Sequence, residues 1–379
     1  MMIRRNITQR LNALANFLVW DQDPYIVLTE DGHLTWIVDG YMTSRVHPYS
    51  ASVDVDGIGP VNYIRNSVKA TVDAYDGTVH LYVFDPEDPL LQAYRNLFPA
   101  LFEPASAMSA DLRRHVRYPE TIFAVQADIY RLFHMKDPLT FYNKSDAWDS
   151  AKFTNQQGTQ PGPVAPTYVV ATLPGENKPE FLLMLPFTPR NRDNLIGLMM
   201  ARCDGEHLGE KVVMLLSKQE IILGPMQFEA RINQDQNISK DLTLWNQQGS
   251  QVLRGQMLVL PVENTFLYVE PIYIQASQAK MPQLKKVALA MGNNLVYADT
   301  YQQALAQLSG LNLPPPPAGA QPATPTTAGK PATAPAPGAP DTRIADIRRH
   351  MDRYRELVSQ GQLSEAGKEL EAIQALVAH

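Results

Sequence analysis

The amino-acid sequence predicts an α+β fold: mostly antiparallel sheets built from hairpins, with a helical insert, a Pro/Ala-rich linker and a C-terminal helical hairpin. Three observations predict it. Two alternating apolar segments each break at an Asp-Gly pair, which accepts the positive φ angles of a tight hairpin turn. Residues 88–148 then change to apolar spacings of three and four, the period of a helix. From Thr167 onward short apolar, β-branched runs return, too brief for helices.

Along the chain, NITQRLNALANFL places Ile7, Leu11, Leu14 and Leu18 on one helical face, with Asn6 or Thr8 placed to cap it. PYIVLTEDGHLTWIVDGY reads as strand, Asp31-Gly32 turn, strand, and NSVKATVDAYDGTVHLYVFD repeats the pattern around Asp76-Gly77. PLLQAYRNLF, SADLRRHV and PETIFAVQADIYRLFHM carry the helical period, Pro119 opening the third. TYVVATL, EFLLML, LIGLMMAR, KVVMLL, SQVLRGQMLVLP, TFLYVEPIYIQ and KKVALAM read as strands. Among them the unbroken apolar run 181–185 predicts a central strand. TYQQALAQLSG closes the body as a helix. These elements divide into residues 1–150 (N-terminal helix, two hairpins, helical insert) and 151–312 (the β-rich part of the same body). Residues 313–340 are expected to be a disordered Pro/Ala-rich linker, since their composition offers too little apolar area to offset ordering entropy. Residues 341–379 read as two short helices around Gly361, each with one apolar stripe, which is expected to dock either back on the chain's own domain or on another chain.

Composition narrows the function. The chain has 379 residues, 45% hydrophobic and 19% charged, enough for a core that needs no staples. A net charge of −6 argues against a nucleic-acid partner, and the runs Arg113-Arg114-His115 and Arg348-Arg349-His350 are short and lie among acids. The lone Cys203 has neither disulfide nor zinc partners, and His207 lies across an expected hairpin from it. No stretch reaches the roughly 18 uninterrupted apolar residues of a spanning helix, and MMIRRNITQR lacks the apolar core of a secretory leader.

Two kinds of candidate site remain. The acidic loops around Asp21 and Asp23, and around Asp54 and Asp56, cluster hard oxygen ligands; Asp54-Val55-Asp56-Gly57 resembles a fragment of a calcium loop whose later ligands are missing. The same residues are ordinary turn and cap vocabulary. The loop Arg190-Asn191-Arg192-Asp193-Asn194 presents two guanidiniums suited to a carboxylate or phosphate. Asp193 pairing with one Arg and Asn194 capping the next element is the structural alternative, and Leu244–Ser250 reads as a second polar-aromatic loop of the same kind. The sequence contains no nucleophile elbow, Walker loop, dinucleotide glycine motif, H-E-x-x-H or paired C-x-x-C, so no catalytic residue and no cofactor is expected. No two of the eight histidines have ligand spacing with a third group close by.

RRNITQRLNALANFLVWDQDPY, WIVDGYMTSRVHPYS, NYIRNSVKATVDAYDGTV, LLMLPFTPRNRDN, GPMQFEARINQDQNIS and LTLWNQQGSQVLRG resemble the long soluble region of a bacterial "uncharacterised protein family" (UPF), over residues 3–312 and the terminal module. The resemblance implies a parent with several N-terminal transmembrane helices, this region lying on the extracytoplasmic side of the plasma membrane. It also implies an upstream soluble stretch with a Tyr-Thr-His-Gly-Tyr-Gly-like segment. It brings no established activity. The expected function is therefore a binding, assembly or envelope domain without catalysis. The alternative is an envelope enzyme or transport component whose site is shared with the rest of the parent. The expected partners are the parent's own transmembrane region and, through residues 341–379, a second copy or another protein.

Overall fold

The computed structural model describes residues 4–154, 160–217, 219, 221–247, 249–262, 265–276, 281–310 and 353. The linker expected over 313–340 and, Arg353 apart, the helical hairpin expected over 341–379 lie outside the described residues. The chain divides into two units, Met1–Pro314 and Pro315–His379, and the elements below belong to the first.

Helix α1 (Ile7–Leu14) is capped by Asn6, whose side chain accepts from the Gln9 N–H at 3.0 Å. Leu11 and Ala15 are buried, but Leu14 is 48% exposed because the helix stops there and the chain turns into β1 (Val19–Trp20). The first hairpin joins β2 (Tyr25–Leu28) to β3 (Leu34–Ser44), with Gly32 at φ +81° as the Asp-Gly pair requires. A separate small hairpin, β4 (Val53–Val55) with β5 (Gly59–Val61), precedes β6 (Tyr63–Asp73) and β7 (Val79–Val83), and β8 (Glu103–Pro104) follows. The sheet order is β1-β3-β6-β7-β8 with β2 also on β3, antiparallel except for β7 beside β8. Gly40 pairs with Val68 and Tyr41 with Asn66, so Ser67 is an extra residue, a β-bulge. The Ser67 hydroxyl is thereby brought to Asp88, the fully buried N-cap of α2 (Pro89–Leu97).

The helical insert continues with α3 (Ala110–Arg114), α4 (Glu120–Phe133) and α5 (Pro138–Asn143). Phe123 and Ala127 of α4 are buried with Trp148, Leu183, Leu185 and Phe187. These belong to a second sheet of β9 (Trp148–Ser150), β12 (Thr167–Thr172), β13 (Pro179–Pro189), β14 (Gly197–Arg202) and β15 (Lys211–Leu215); between them β10 (Lys152–Thr154) pairs with β11 (Pro161–Pro163). The order β12-β13-β14-β15, with β9 also on β13, makes the apolar run 181–185 part of a central strand, as its continuity predicts.

Helices α6 (Pro225–Gln234) and α7 (Gln236–Trp245) depart from the sequence reading, since Leu244 and Trp245 close α7 instead of opening a loop. Their starts carry strong signals: Pro225 at the first turn, and Asp235 accepting from Asn237 and Ile238 N–H at 3.0 and 3.1 Å. Phe228, Ile232 and Ile238 are buried together with Leu182 and Met200 of the second sheet and Tyr268 and Ala288 of the third. That third sheet comprises β16 (Ser250–Arg254), β17 (Leu258–Val262), β18 (Thr265–Ala276), β19 (Gln283–Met291) and β20 (Asn294–Ala298), followed by α8 (Tyr301–Ser309). The run SQVLRGQMLVLP is two strands, not one. At Gly255 a Cβ would lie 2.5 Å from Pro271 Cγ, and the chain bends there so that both halves pair with β18. The mixed helices and antiparallel sheets are the α+β class that the sequence predicts.

Candidate functional site

A cleft of about 500 Å³ lies between the first sheet, the β4–β5 hairpin and the N-terminal half of α4. The β1–β2 loop contributes Asp21 and Asp23, β3 contributes Asp39 and Tyr41, the hairpin contributes Asp54 and Asp56, and α4 contributes Glu120 and Asp128. The four carboxylates that the sequence puts forward as metal ligands are therefore brought to one cleft from segments more than thirty residues apart. They do not converge on a point: among the described residues no group of three His, Cys, Asp or Glu side chains is placed to hold a metal ion. The loops are fixed to each other. Gln22 Nε2 donates to the Gly57 carbonyl at 3.2 Å, and Gly57 has φ +73°, where a Cβ would meet that amide at 2.1 Å.

The charges in the cleft are unevenly compensated. Asp39 is buried against Lys69 and accepts from Asn66 Nδ2 at 3.1 Å. Asp23 pairs with Arg117, whose guanidinium also stacks over the Tyr25 and Tyr168 rings at 4.1 and 4.8 Å. Asp128 pairs with Arg131. Asp21 is held by the Asp23 N–H at 2.9 Å and the Tyr41 hydroxyl, with no cation on it. Burial first, then Asp39 and Asp21, push the Tyr41 phenol far above its usual range, so it stays protonated and donates. Among the described residues Asp54, Asp56 and Glu120 have neither an ion pair nor a side-chain hydrogen bond. Desolvation raises the Glu120 carboxyl, and Asp23 and Asp21 raise it further against the opposing pull of Arg117. Asp21, Asp54, Asp56 and Glu120 thus face the cleft without an ion pair among the described residues, while Arg117 on its wall is held by Asp23.

The guanidinium loop lies elsewhere, at a second concavity of about 620 Å³ with Lys144, Ser145 and Ser217. Arg190, Asn191, Arg192 and Asn194 line it, whereas Asp193 does not and pairs with neither arginine. Arg190 instead reaches Asp149 at 3.9 Å. Asn194 caps no helix, because β14 follows it; its side chain donates to the Leu195 carbonyl at 3.4 Å.

Cys203 is buried, and burial pushes its thiol up to about 11, the signature of an inert core sulfur. His207 pairs with Glu210 at 2.9 Å and not with the thiol. The signal for the acidic cleft was present as isolated acidic pairs; Asp39, Glu120 and Tyr41 were missed because each sits alone within a regular strand or helix.

A family model described as "Uncharacterised protein family (UPF0182)" matches residues 1–245. A UPF0182 protein of Solibacter usitatus is 65% identical over the whole chain, which spans 41% of that relative. UPF0182 proteins of Methanospirillum hungatei and Cupriavidus necator are 48% and 42% identical over 81% and 99% of the chain, which here covers 34% and 39% of their lengths. The chain therefore spans about two-fifths or less of these relatives. No solved structure matches.

Proposed function

Because the chain belongs to the uncharacterised protein family UPF0182, we propose that it is the extracytoplasmic binding domain of a larger membrane protein and that its acidic cleft receives a basic side chain of a partner polypeptide. One observation carries the ligand class: among the described residues Asp21, Asp54, Asp56 and Glu120 face a cleft of about 500 Å³ without an ion pair, the Arg117 on its wall being held by Asp23. Like charges held together raise the energy of the empty cleft, and a lysine or arginine entering it relieves that repulsion while gaining charge-assisted hydrogen bonds. A spread of carboxylates without a common centre suits the several N–H donors of a long, flexible basic side chain better than a bare ion. The membrane placement is supported by the family resemblance and by a relative more than twice as long as this chain. Among the described residues no helix is long and apolar enough to cross a membrane, so the spans would belong to the remaining part of the parent.

The test is calorimetric titration of the full chain with tetralysine, with calcium as a comparison. Asp54→Asn/Asp56→Asn, both on an exposed hairpin, is expected to weaken tetralysine binding about 5- to 30-fold, from roughly 0.5–1 kcal/mol per partly exposed charge pair. Equal affinity in the variant, or preference for calcium, would overturn the ligand assignment. For the location, a cysteine placed at the exposed Ser52 of the membrane-bound parent should react with an impermeant maleimide in intact cells. Labelling only after lysis would overturn it.

A further inference from the structure

The second concavity, independent of the acidic cleft, has the opposite character. We infer that it is an anion site that takes a phosphate group. Its cations among the described residues are Lys144, Arg190 and Arg192, and Asp146 is the one described carboxylate on its wall. Among the described residues the Lys144 and Arg192 side chains have no ion pair or hydrogen bond. The Arg190 side chain, among the described residues, reaches only the distant Asp149, at 3.9 Å, a carboxylate that Arg131 approaches more closely, at 3.4 Å. Elsewhere Arg65, Arg114, Arg202 and Arg254 each hold a carboxylate. In a chain of net charge −6 such acidic partners are abundant, so cations left under-compensated around one hollow mark a place where an anion is accommodated.

The backbone supports this reading. Lys144 and Asn191 have φ of +52° and +62°, two of the four left-handed non-glycine residues described, and both line this hollow. Strained backbone of this kind persists where surrounding structure fixes it, and it gathers at ligand clamps. Here the fixing contacts are visible. Arg190 N–H donates to the Ala147 carbonyl and Leu195 N–H to the Ile222 carbonyl, both at 2.9 Å. The Asp193 carbonyl packs so closely on Gly224 that a Cβ there would lie 1.8 Å from it. The guanidiniums are thus carried on a pinned turn, the arrangement that lets planar forks meet phosphate oxygens in pairs while a lysine adds a point charge.

A phosphate ester in solution and an anionic lipid headgroup share this chemistry. Leu139 and Tyr142, 68% and 84% exposed on the helix that ends at Lys144, give reason to include a bilayer among the probes. The experiment uses the full chain with phenyl phosphate in calorimetry and with phosphatidylglycerol or phosphatidylcholine vesicles in co-sedimentation. Two variants are compared, Arg190→Gln/Arg192→Gln and Lys144→Gly. Glycine accepts the left-handed backbone, so the second variant removes the charge without adding strain. Removing both arginines is expected to lower phosphatidylglycerol partition about 30-fold, at about 1 kcal/mol per basic residue, with little binding to phosphatidylcholine. Phenyl phosphate binding that both variants weaken, without vesicle binding, supports the site with a soluble ester as its source. Absence of binding to either probe, or binding that both variants leave unchanged while thermal melting shows them folded, would overturn it.

Discussion

The indole of Trp20 lies across the Cα of Gly40, its partner in the β1–β3 ladder, so that a Cβ on Gly40 would come within 2.8 Å of Trp20 Cζ3. The contact belongs to the core face of the sheet, where Trp20 is buried with Val38, Met42 and Val68. The residue after Trp20, Asp21, belongs to the acidic cleft, as do Asp39 and Tyr41 on either side of Gly40. One cross-strand pair therefore sets the packing of the core and, by strand alternation, the backbone from which three cleft side chains project.

Gly40→Ala should therefore destabilise the domain by about 1–3 kcal/mol, the usual effect of forcing extra volume into a packed core. Its backbone angle is not the cause, since Gly40 is not among the positive-φ glycines. In a Trp20→Phe background the same substitution should cost less, because phenylalanine lacks the second ring that carries Cζ3. Urea denaturation of the four proteins gives the coupling, and additive effects would show that the Trp20–Gly40 contact is not the source.

How much of this was legible in sequence depends on how local the signal was. The Asp31-Gly32 and Asp76-Gly77 hairpins, the Asn6 cap and the central strand through Phe181–Leu185 follow from turn chemistry and periodicity within a few residues. Helices α6 and α7 were overlooked although Pro225 and Asp235 are good start signals, because polar residues dilute the apolar stripe of Phe228, Ile232 and Ile238. The break at Gly255 depends on Pro271, sixteen positions away, and no local pattern announces it. The acidic cleft was half legible: Asp21, Asp23, Asp54 and Asp56 stood out as loop acids, but only the fold shows that they share one space with Glu120. The arginine loop reads as either self-paired or ligand-facing, and in the fold Asp193 forms an ion pair with neither guanidinium.

Arg254 lies between two buried carboxylates, donating through Nη1 to Glu229 at 3.0 Å and through Nε to Glu270, which is 0% exposed. Desolvation raises the Glu270 carboxyl despite the opposing attraction of Arg254. Removing the arginine leaves two buried acids uncompensated. Arg254→Met should cost about 3–5 kcal/mol at neutral pH, and less in acid, where the carboxylates are protonated in its absence. Glu270→Gln should be milder, since it removes a buried charge that desolvation disfavours and leaves Arg254 its Glu229 partner. Equal destabilisation by the two changes in urea melts at pH 7 would contradict this ranking.

The His33 ring is paired with Asp73 across the first sheet. Its pKa is raised from 6.5, first by the hydrogen bond to Asp73. That of Asp73 is lowered from 3.8 to about 2, first by the Asp76 N–H and then by His33. The stability contributed through His33 is fully present below its unfolded pKa and is lost as pH rises through the raised folded value. The part contributed through Asp73 is present above 3.8 and is lost as pH falls toward 2. The pair is therefore fully formed between those limits, from about pH 4 to 6.5. In an NMR titration His33 should show a midpoint above 6.5, and Asp73→Asn should lower it. An unchanged midpoint would mean that the contact does not persist in solution.

Glu120 allows the binding and folding consequences of the acidic cleft to be separated. Its raised carboxyl means that the folded state holds the proton more tightly than the unfolded chain does. Its contribution to stability is thus greatest below the unfolded pKa and declines as pH rises through the folded value, leaving a repelled charge in the cleft at neutral pH. Glu120→Gln removes that charge. It should raise the melting temperature at pH 8, with the advantage vanishing at pH 4, where the wild-type side chain is also neutral. Tetralysine affinity should move the opposite way, weaker than wild type at pH 8 and equal to it at pH 4. A variant that is stabilised at pH 8 but binds tetralysine normally would confine Glu120 to the electrostatics of folding. A variant changed in neither respect would mean that its carboxylate does not share the field of Asp21 and Asp23. The expected result, stability gained where binding is lost, would identify a carboxylate kept in an unfavourable place because a cation is meant to join it.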